Sequence, residues 1–271
     1  MAKTRKGSKR KFEVSICVWI DLLGYGSMLK DSQFDPTVDL SIKAIERLEL
    51  FHKIASKHSS RNFNIIALND GLISTRDVSP RTHKVTAEFV STAIKLFEEL
   101  NDEDKKNGFY GARCIIASGF RIRYSENIFS ESGIKNAIHR RIKNGTLNTN
   151  EAINMALKSR PYFGITPELQ ANFAFTKAYL VDNAGSKEGF GGPNCFIDLS
   201  IISNPIPQFI HFSENISWSN SGLWGRFGKL ESYNLNEAHK IEYRGFLSAF
   251  EIAENITKIP NAEKRIRKAK K

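Results

Sequence analysis

The chain has 271 residues, and 41% of them are hydrophobic, which is enough to close the core of one large domain without disulfides or structural metals. The net charge of +11 comes from the ends, because residues 1–11 and 264–271 each hold six Lys or Arg and the rest is nearly neutral. A basic groove for specific nucleic-acid binding is therefore not indicated. We interpret 1–11 and 263–271 as solvated basic tails, with a nucleic-acid or membrane-surface role as the alternative, around a domain at 12–262.

Cysteine usage and hydropathy indicate a cytoplasmic protein. Cys17, Cys114 and Cys195 lie in apolar runs without CxxC spacing, so we expect three reduced core residues. The sequence has no apolar run of about 18 residues and no signal-peptide pattern, which argues against a membrane span and against export.

The first half of the chain alternates between strand and helix patterns. Residues 12–20 form an apolar strand, and residues 37–58 predict a helix whose apolar positions are Val38, Ile42, Ile45, Leu48, Phe51 and Ala55. Asn69-Asp70-Gly71 predicts a hairpin between two short strands. A second helix over 85–100 and a strand over 112–119 follow. This order predicts an α+β fold with helices against one face of a largely antiparallel sheet.

The second half begins with a polar, basic segment, 125–166, which we interpret as an insertion containing two short helices at 134–143 and 150–158. Beyond it the patterns predict a helix over 167–184 and a strand over 194–201. Strand-like sequence at 207–212 precedes a Trp- and Ser-rich loop, and the last element is an amphipathic helix near 235–257.

Two acids follow from this element order as candidate metal ligands. Asp21 ends the first strand, and Asp70 lies in the turn of the hairpin expected beside it. Two carboxylates on adjacent sheet ends can share a pair of divalent cations, as in two-metal phosphoryl transfer. Gly24 and Gly26 would let backbone N–H groups approach a polyphosphate. A cap or Asx-turn remains the alternative for either acid taken alone.

These motifs resemble the class III nucleotide cyclases. In that family the first strand ends in Asp, an aliphatic residue, any residue, Gly and an aromatic, as in the run 21–25 (DLLGY). The family's hairpin acid follows as a Gly-Asp pair, and here Asn69-Asp70 keeps the acid and changes the glycine to another turn residue. The resemblance implies a ferredoxin-like βαββαβ core with a helical insertion and a C-terminal helix. It further implies that Asp21, Asp70 and the Leu22 carbonyl hold two Mn²⁺ or Mg²⁺ ions.

The departures from the family pattern concern the base and the transition state. Ile66 stands where purine cyclases have a base-reading lysine, and Thr176 and Leu180 stand where the family has an asparagine and an arginine. Retained metal acids, an altered base position and an F-x-KAY helix at 175–179 resemble the pyrimidine cyclases of bacterial Pycsar antiphage systems. That resemblance implies conversion of UTP or CTP to cyclic UMP or cyclic CMP plus pyrophosphate, with the product read by a separate effector.

The resemblance also implies a homodimer whose sites lie at the subunit interface, each taking the acids from one chain and the late helix from its partner. Candidates for the missing cation are Arg113 and Lys177, with a surface strand end and a solvated helix position as their alternatives. The expected substrate contacts lie in the turn after the first strand, on the hairpin and on the late helix: Leu23, Gly24, Tyr25, Gly26, Ile66, Thr176 and Lys177.

Three other functions stay open at this point. A catalytically silent, cyclase-like nucleotide sensor would explain the missing arginine but not the two retained acids. A purine cyclase or another palm-type nucleotidyl transferase would keep the metals and change the substrate. A zinc site is not expected, because the six histidines have no ligand spacing such as HExxH.

Overall fold

The computed structural model describes residues 12–122, 131–158 and 166–257. Its strands are β1 (Phe12–Leu22), β2 (Ile65–Leu68), β3 (Gly71–Asp77), β4 (Ala112–Ile122), β5 (Cys195–Asp198), β6 (Ile210–Asn220) and β7 (Leu223–Tyr233). They form one sheet in the order β2-β3-β1-β4-β5-β7-β6. Only β4 and β5, among these pairs, run parallel. The predicted α+β class is confirmed.

Helices connect and cover the strands. They are α1 (Tyr25–Asp31), α2 (Asp39–His58), α3 (Lys84–Lys106), α4 (Glu131–Lys143), α5 (Thr149–Lys158), α6 (Phe173–Ala184), α7 (Leu235–Lys240) and α8 (Ala249–Thr257). The order of β1, the first helices, the β2–β3 hairpin, α3 and β4 matches the predicted core. None of the described helices combines the length and the apolar character needed to cross a membrane.

The sheet is covered on both faces, so the prediction of helices on one face was wrong. Val18 and Ile20 of β1 join the larger core cluster with residues of α2, α3 and α8, whereas Cys17 and Trp19 join a second cluster with residues of α6. Successive strand residues point to opposite faces, so a strand that is apolar at every position must be covered twice. The three cysteines are buried and free, as predicted.

Helix α2 buries the predicted positions Phe51 and Ala55 in its second half, but its first half buries a different face from the predicted one. Val38, Ile42 and Ile45 are exposed by 37%, 44% and 44%, while Ala44 and Arg47 are buried. The small side chain at 44 permits close packing, and Arg47 forms a buried ion pair with Asp104 of α3 at 2.7 Å. Apolar periodicity alone cannot reveal a helix orientation that depends on a buried ion pair.

Three boundaries in the second half also differ. The late helix α6 begins at Phe173 because the Asn172 side chain accepts hydrogen bonds from the Ala174 and Phe175 N–H groups and caps it. The predicted Trp- and Ser-rich loop is the β6–β7 hairpin, which turns at Ser221-Gly222. The single C-terminal helix is divided into α7 and α8. In each case a capping or turn residue sets the limit of the element, and the hydrophobic pattern alone does not reveal that limit.

The predicted insertion contains both expected helices, α4 and α5, which cover 131–143 and 149–158. Residues 125–130 and 159–165 of this segment lie outside the described residues, as do the basic tails 1–11 and 263–271. The proposed limits of the catalytic domain therefore stay a prediction.

Candidate active site

The sheet brings Asp21 and Asp70 to the same edge. Strand β1 lies between β3 and β4, and its register places Asp21 opposite Gly71 on one side and Arg113 on the other. The Leu22 N–H donates to the Asp70 carbonyl at 3.0 Å, which fixes the hairpin turn against the end of β1. Both acids are partly exposed, in contrast to the buried strand that precedes Asp21.

The hairpin turn orients Asp70. Asn69 has φ of 54°, a left-handed conformation that Asn tolerates better than most residues. Its side-chain amide donates to Asp70 Oδ1 at 3.1 Å, and its carbonyl lies 2.9 Å from the Nε2 of His52 on α2. Asn69 therefore both permits the bend and holds the carboxylate.

The charged groups at this sheet edge and burial together shift the pKa of Asp21. Burial raises the pKa of Asp21 to about 7, with further contributions from the carboxylates of Asp182 and Asp70, and Arg113 and Arg47 partly oppose the rise. A bound cation would oppose this rise at Asp21, because a cation stabilises the ionised form of a carboxylate. This is the chemistry expected of a divalent-metal site.

The raised pKa predicts a pH-dependent stability change. Between about pH 4 and 7 the folded chain holds the Asp21 proton more tightly than the unfolded chain, so the stability from this group is lost as pH rises through 7. In EDTA, we expect Asp21→Asn to raise the free energy of unfolding at pH 8 by about 1–2 kcal/mol, a gain that shrinks towards pH 4. Urea unfolding at several pH values measures it. Exposed Asp102→Asn is the control, and matching profiles for the two variants would contradict this electrostatic assignment.

Arg113 is the cation nearest to the acids. Its Nη2 lies 4.0 Å from Asp21 Oδ2, while its Nε donates to Asp182 Oδ1 of α6 at 2.6 Å. The same guanidinium donates to the carbonyls of Asp182 and Phe190 at 3.1 and 3.2 Å. The side chain is 12% exposed, so the predicted surface-charge alternative does not describe it. Asp182 and two carbonyls instead hold the guanidinium beside Asp21.

The turn after β1 places Leu23, Gly24, Tyr25 and Gly26 directly beyond Asp21. Gly24 has φ of 77°, and a Cβ there would lie 2.7 Å from the Tyr110 ring, so only glycine fits without a shift. Gly26 is exposed with open space around it, whereas Tyr25 is buried. Their role as substrate contacts stays a prediction.

A buried ion pair supports this turn from below. Arg47 Nη2 donates to the Leu23 carbonyl at 2.8 Å and to Asp104, whose carboxylate also accepts from the Gly111 N–H at 2.8 Å. Leu23 N–H donates to the Gly111 carbonyl at 3.0 Å. The network ties the turn after Asp21 to the start of β4.

Helix α6 carries its predicted site residues in different environments. Thr176 is exposed, and its hydroxyl donates to the Asn172 carbonyl at 3.1 Å. Lys177 is 3% exposed and its Nζ lies 2.8 Å from Asp198 Oδ2 of β5. The prediction that Lys177 is a solvated helix residue was therefore wrong. Its ammonium group has a buried partner on β5, which is separated from β1 in the sheet by β4.

Ile66 lies on β2 opposite Ile73 and packs, partly buried, against the cluster that includes Trp19. The Trp19 ring meets the Tyr179 ring of α6 at a centroid distance of 5.3 Å in an edge-on arrangement. Ile66 thus belongs to an apolar and aromatic surface that continues from the acids towards α6. Its part in base selection stays a prediction.

Sequence reasoning missed Asp182, Arg47 and Asp198. Each is a charged residue inside an otherwise regular helix or strand pattern, and only the tertiary structure supplies its partner. Over the described ranges, His, Cys, Asp and Glu form no cluster of three or more that would hold a metal by themselves. Any cation at Asp21 and Asp70 would need further ligands from water, substrate or backbone, as Mg²⁺ commonly does.

The chain was compared with known proteins by sequence and by structure, and only the structural comparison found similar proteins. No family model and no curated protein matches it. The chain is similar in structure to the guanylyl cyclase Cya2, with a TM-score of 0.49 and 12% identity over 88% of this chain and 99% of that one.

Two further solved structures give similar values. The adenylyl cyclase CyaB from P. aeruginosa has a TM-score of 0.44 and 11% identity, covering 83% of this chain and 97% of that one. The guanylate cyclase domain of RhGC from Catenaria anguillulae, solved with GTP, has a TM-score of 0.42 and 10% identity, covering 83% and 100%. Similarity of this degree leaves the function to be inferred from the site.

Proposed function

We propose that the chain is a metal-dependent pyrimidine nucleotide cyclase that converts UTP or CTP to the 3′,5′-cyclic monophosphate and pyrophosphate. The observation that carries this proposal is the pair Asp21 and Asp70, which meet at one sheet edge with Arg113 beside them. A structural role does not account for a partly exposed carboxylate pair in which Asp70 contributes to the raised pKa of Asp21. We further propose that the product is a second messenger in antiphage defence, read by a separate effector.

The donor set fits hard divalent cations. Asp21 and Asp70 offer carboxylate oxygens and Leu22 offers a carbonyl, which are ligand types that Mg²⁺ and Mn²⁺ take. When bound, such ions activate the attacking 3′-hydroxyl and neutralise the leaving pyrophosphate. The two carboxylates and the Leu22 carbonyl would hold and orient such ions.

The chain's own groups position the triphosphate. Arg113 is held by Asp182, so its guanidinium can face negative charge without a large loss of side-chain freedom. The turn around Gly24 and Gly26 offers backbone N–H groups next to Asp21. Charge that develops on the phosphate oxygens is stabilised by such fixed donors and cations.

We propose a homodimer in which α6 of one chain completes the site of the other. In support, Phe173 and Tyr179 of α6 are each 43% exposed and Leu68, beside the Asp70 turn, is 49% exposed. Exposed apolar side chains that adjoin a polar site commonly mark an interface. Thr176, on the same helix, would then face the partner's substrate.

Pyrimidine choice follows from the surroundings of Ile66. The Ile66 side chain packs against the cluster that includes Trp19 and Ile73, and it offers no hydrogen-bond donor to the edge of a purine. A site without that donor lacks the contact by which it would select a purine over a pyrimidine. A smaller base fits against this apolar surface, and we place UTP ahead of CTP.

Product identification tests the proposal. We expect incubation with Mn²⁺ and each of the four nucleoside triphosphates to yield mainly cyclic UMP, identified by mass spectrometry. Predominant cyclic AMP or cyclic GMP would overturn the pyrimidine assignment, and linear dinucleotides would overturn cyclisation.

A catalytically silent nucleotide-binding module is the second candidate. It is favoured by one observation, that Lys177 is engaged with Asp198 while Thr176 and Leu180 carry no charge, so α6 offers no cation to a substrate. Product formation separates the two candidates. Both predict thermal stabilisation by triphosphate with Mn²⁺, but only an enzyme forms product under the same conditions.

Arg113 offers a prediction with a matched control. Arg113→Lys keeps the charge but loses the planar fork that Asp182 holds, so we expect kcat to fall at least about tenfold with a smaller change in KM. Arg121→Lys is the control, because Arg121 lies on the same strand, is also 12% exposed and is also paired with an acid, Asp77. Equal effects on kcat from the two substitutions would remove Arg113 from the active site.

A further inference from the structure

A cleft lies far along the sheet from the two acids. Its volume is about 1060 Å³, and it is bounded by the β6–β7 hairpin, the loop after β5 and helix α8. Small-molecule sites typically span roughly 300–1,000 Å³, so the cleft has room for a ligand of that class. Because β6 and β7 are the last strands at the opposite end of the sheet order from β2 and β3, the cleft is separate from the Asp21 edge.

One wall combines a flat ring with a cation. The strand register pairs Ser219 with Trp224 and Ser217 with Arg226, and all four line the cleft. Trp224 and Arg226 are two positions apart on one strand, so their Cα atoms are about 7 Å apart on the same face. Arg226 is exposed, and none of the described carboxylates lies within ion-pair distance of it. This wall can stack a planar ring and pair with an anion.

The opposite wall offers acceptors. Glu254 and Asn255 of α8 line the cleft, and Glu254 is exposed without a hydrogen bond from the described side chains or backbone. Glu251 is already occupied, because its carboxylate accepts from the Ser248 N–H and hydroxyl at 2.8 and 2.6 Å. Glu254 is therefore the acceptor available for hydroxyl groups of a ligand.

The floor is built by a buried network. Asp198 accepts from Lys177 at 2.8 Å, from the Ser118 hydroxyl at 3.0 Å and from the Ser200 N–H at 3.0 Å. Burial opposes ionisation of Asp198, but Lys177 and these hydrogen bonds hold its pKa below the ordinary value. Asn255 also donates to the Ser200 carbonyl at 3.2 Å, which joins α8 to the floor. The cleft is thus formed before any ligand binds.

We propose that this cleft binds a nucleoside monophosphate, with the base on Trp224, the phosphate at Arg226 and ribose hydroxyls donating to Glu254. A nucleoside monophosphate carries one planar ring, one anionic group and sugar hydroxyls, which matches the three kinds of group on the walls. The assignment stands independently of the proposed cyclase activity.

Calorimetric titration of the whole chain in EDTA with UMP, CMP, AMP or GMP tests the proposal. We expect at least one of the four to bind the wild-type chain, and uridine and inorganic phosphate each to bind more weakly than the best monophosphate. Arg226→Gln should weaken the best monophosphate about tenfold, the loss expected for one charge-assisted contact, and leave nucleoside affinity unchanged. Trp224→Leu should weaken both.

Two variants serve as controls. Lys95→Gln removes one exposed positive charge from α3, and Asp21→Asn alters the proposed catalytic site, and both should bind the monophosphate as the wild-type chain does. Absence of wild-type binding up to millimolar monophosphate would overturn the proposal, as would unchanged affinity in Arg226→Gln. Loss of binding in Asp21→Asn would place the ligand at the acids and would likewise overturn it.

Discussion

Asp21→Asn and Asp70→Asn are each expected to lower the rate of cyclic UMP formation by about 10²–10⁴, because a divalent ion contributes several kcal/mol of charge stabilisation and each substitution removes one ligand. Neither change should unfold the chain, since both side chains are partly exposed and sit at the end of β1 and in a turn. Turnover with Mn²⁺ and UTP measures the effect, with circular dichroism as the test of folding.

The control for these substitutions is Asp35→Asn. Asp35 is an exposed acid in the loop after α1, where its carboxylate accepts from the Thr37 N–H and hydroxyl at 2.9 and 2.7 Å. We expect this variant to keep turnover close to that of the wild type. If Asp21→Asn or Asp70→Asn also retains it in Mn²⁺, the metal site lies elsewhere.

Lys177→Met is expected to lower the free energy of unfolding by about 3–5 kcal/mol, because it leaves the carboxylate of Asp198 buried without its cation. The two side chains are 4% and 1% exposed. Adding Asp198→Asn to Lys177→Met should recover part of the loss, since the uncompensated charge is then gone. Urea unfolding of the wild type and both variants measures the difference.

Lys240→Met provides the comparison for that pair. Lys240 lies 2.6 Å from Glu237 on α7, but the side chains are 68% and 51% exposed. An exposed pair contributes about 0–1 kcal/mol, so this variant should stay close to the wild type. If Lys177→Met changes stability as little as Lys240→Met, the buried pair does not have the assigned role.

Much of the fold was predictable from local patterns. The apolar run before Asp21, the Asn69-Asp70-Gly71 turn and the periodicity of α3 each specify their element by short-range chemistry, and all three elements are present. The pairing of Asp21 with Gly71 across β1 and β3 confirms that the two acids meet at one edge. Residues at strand ends and in turns could be placed because the sequence marks those ends.

The rest depended on tertiary contacts that no local pattern encodes. Asp182 is paired with Arg113 across 69 positions, and Arg47 with Asp104 across 57. By sequence, Lys177 resembles a solvated helix residue. It is buried and paired with Asp198 only because β5 packs next to α6 in the folded chain. The β6–β7 hairpin was missed because its polar face, which lines the cleft, resembles a loop by composition.

The most direct test of the central claim is ³¹P NMR of the reaction products. The purified chain is incubated with UTP and Mg²⁺, and EDTA is added after the reaction, before the spectrum is recorded. Intramolecular attack of the 3′-hydroxyl on the α-phosphate predicts cyclic UMP and pyrophosphate in equal amounts, and neither product with Asp21→Asn. Orthophosphate with the nucleoside diphosphate, or unchanged triphosphate in parallel samples with UTP and with CTP, would contradict the assignment of Asp21 and Asp70 as the metal-binding acids of a pyrimidine cyclase.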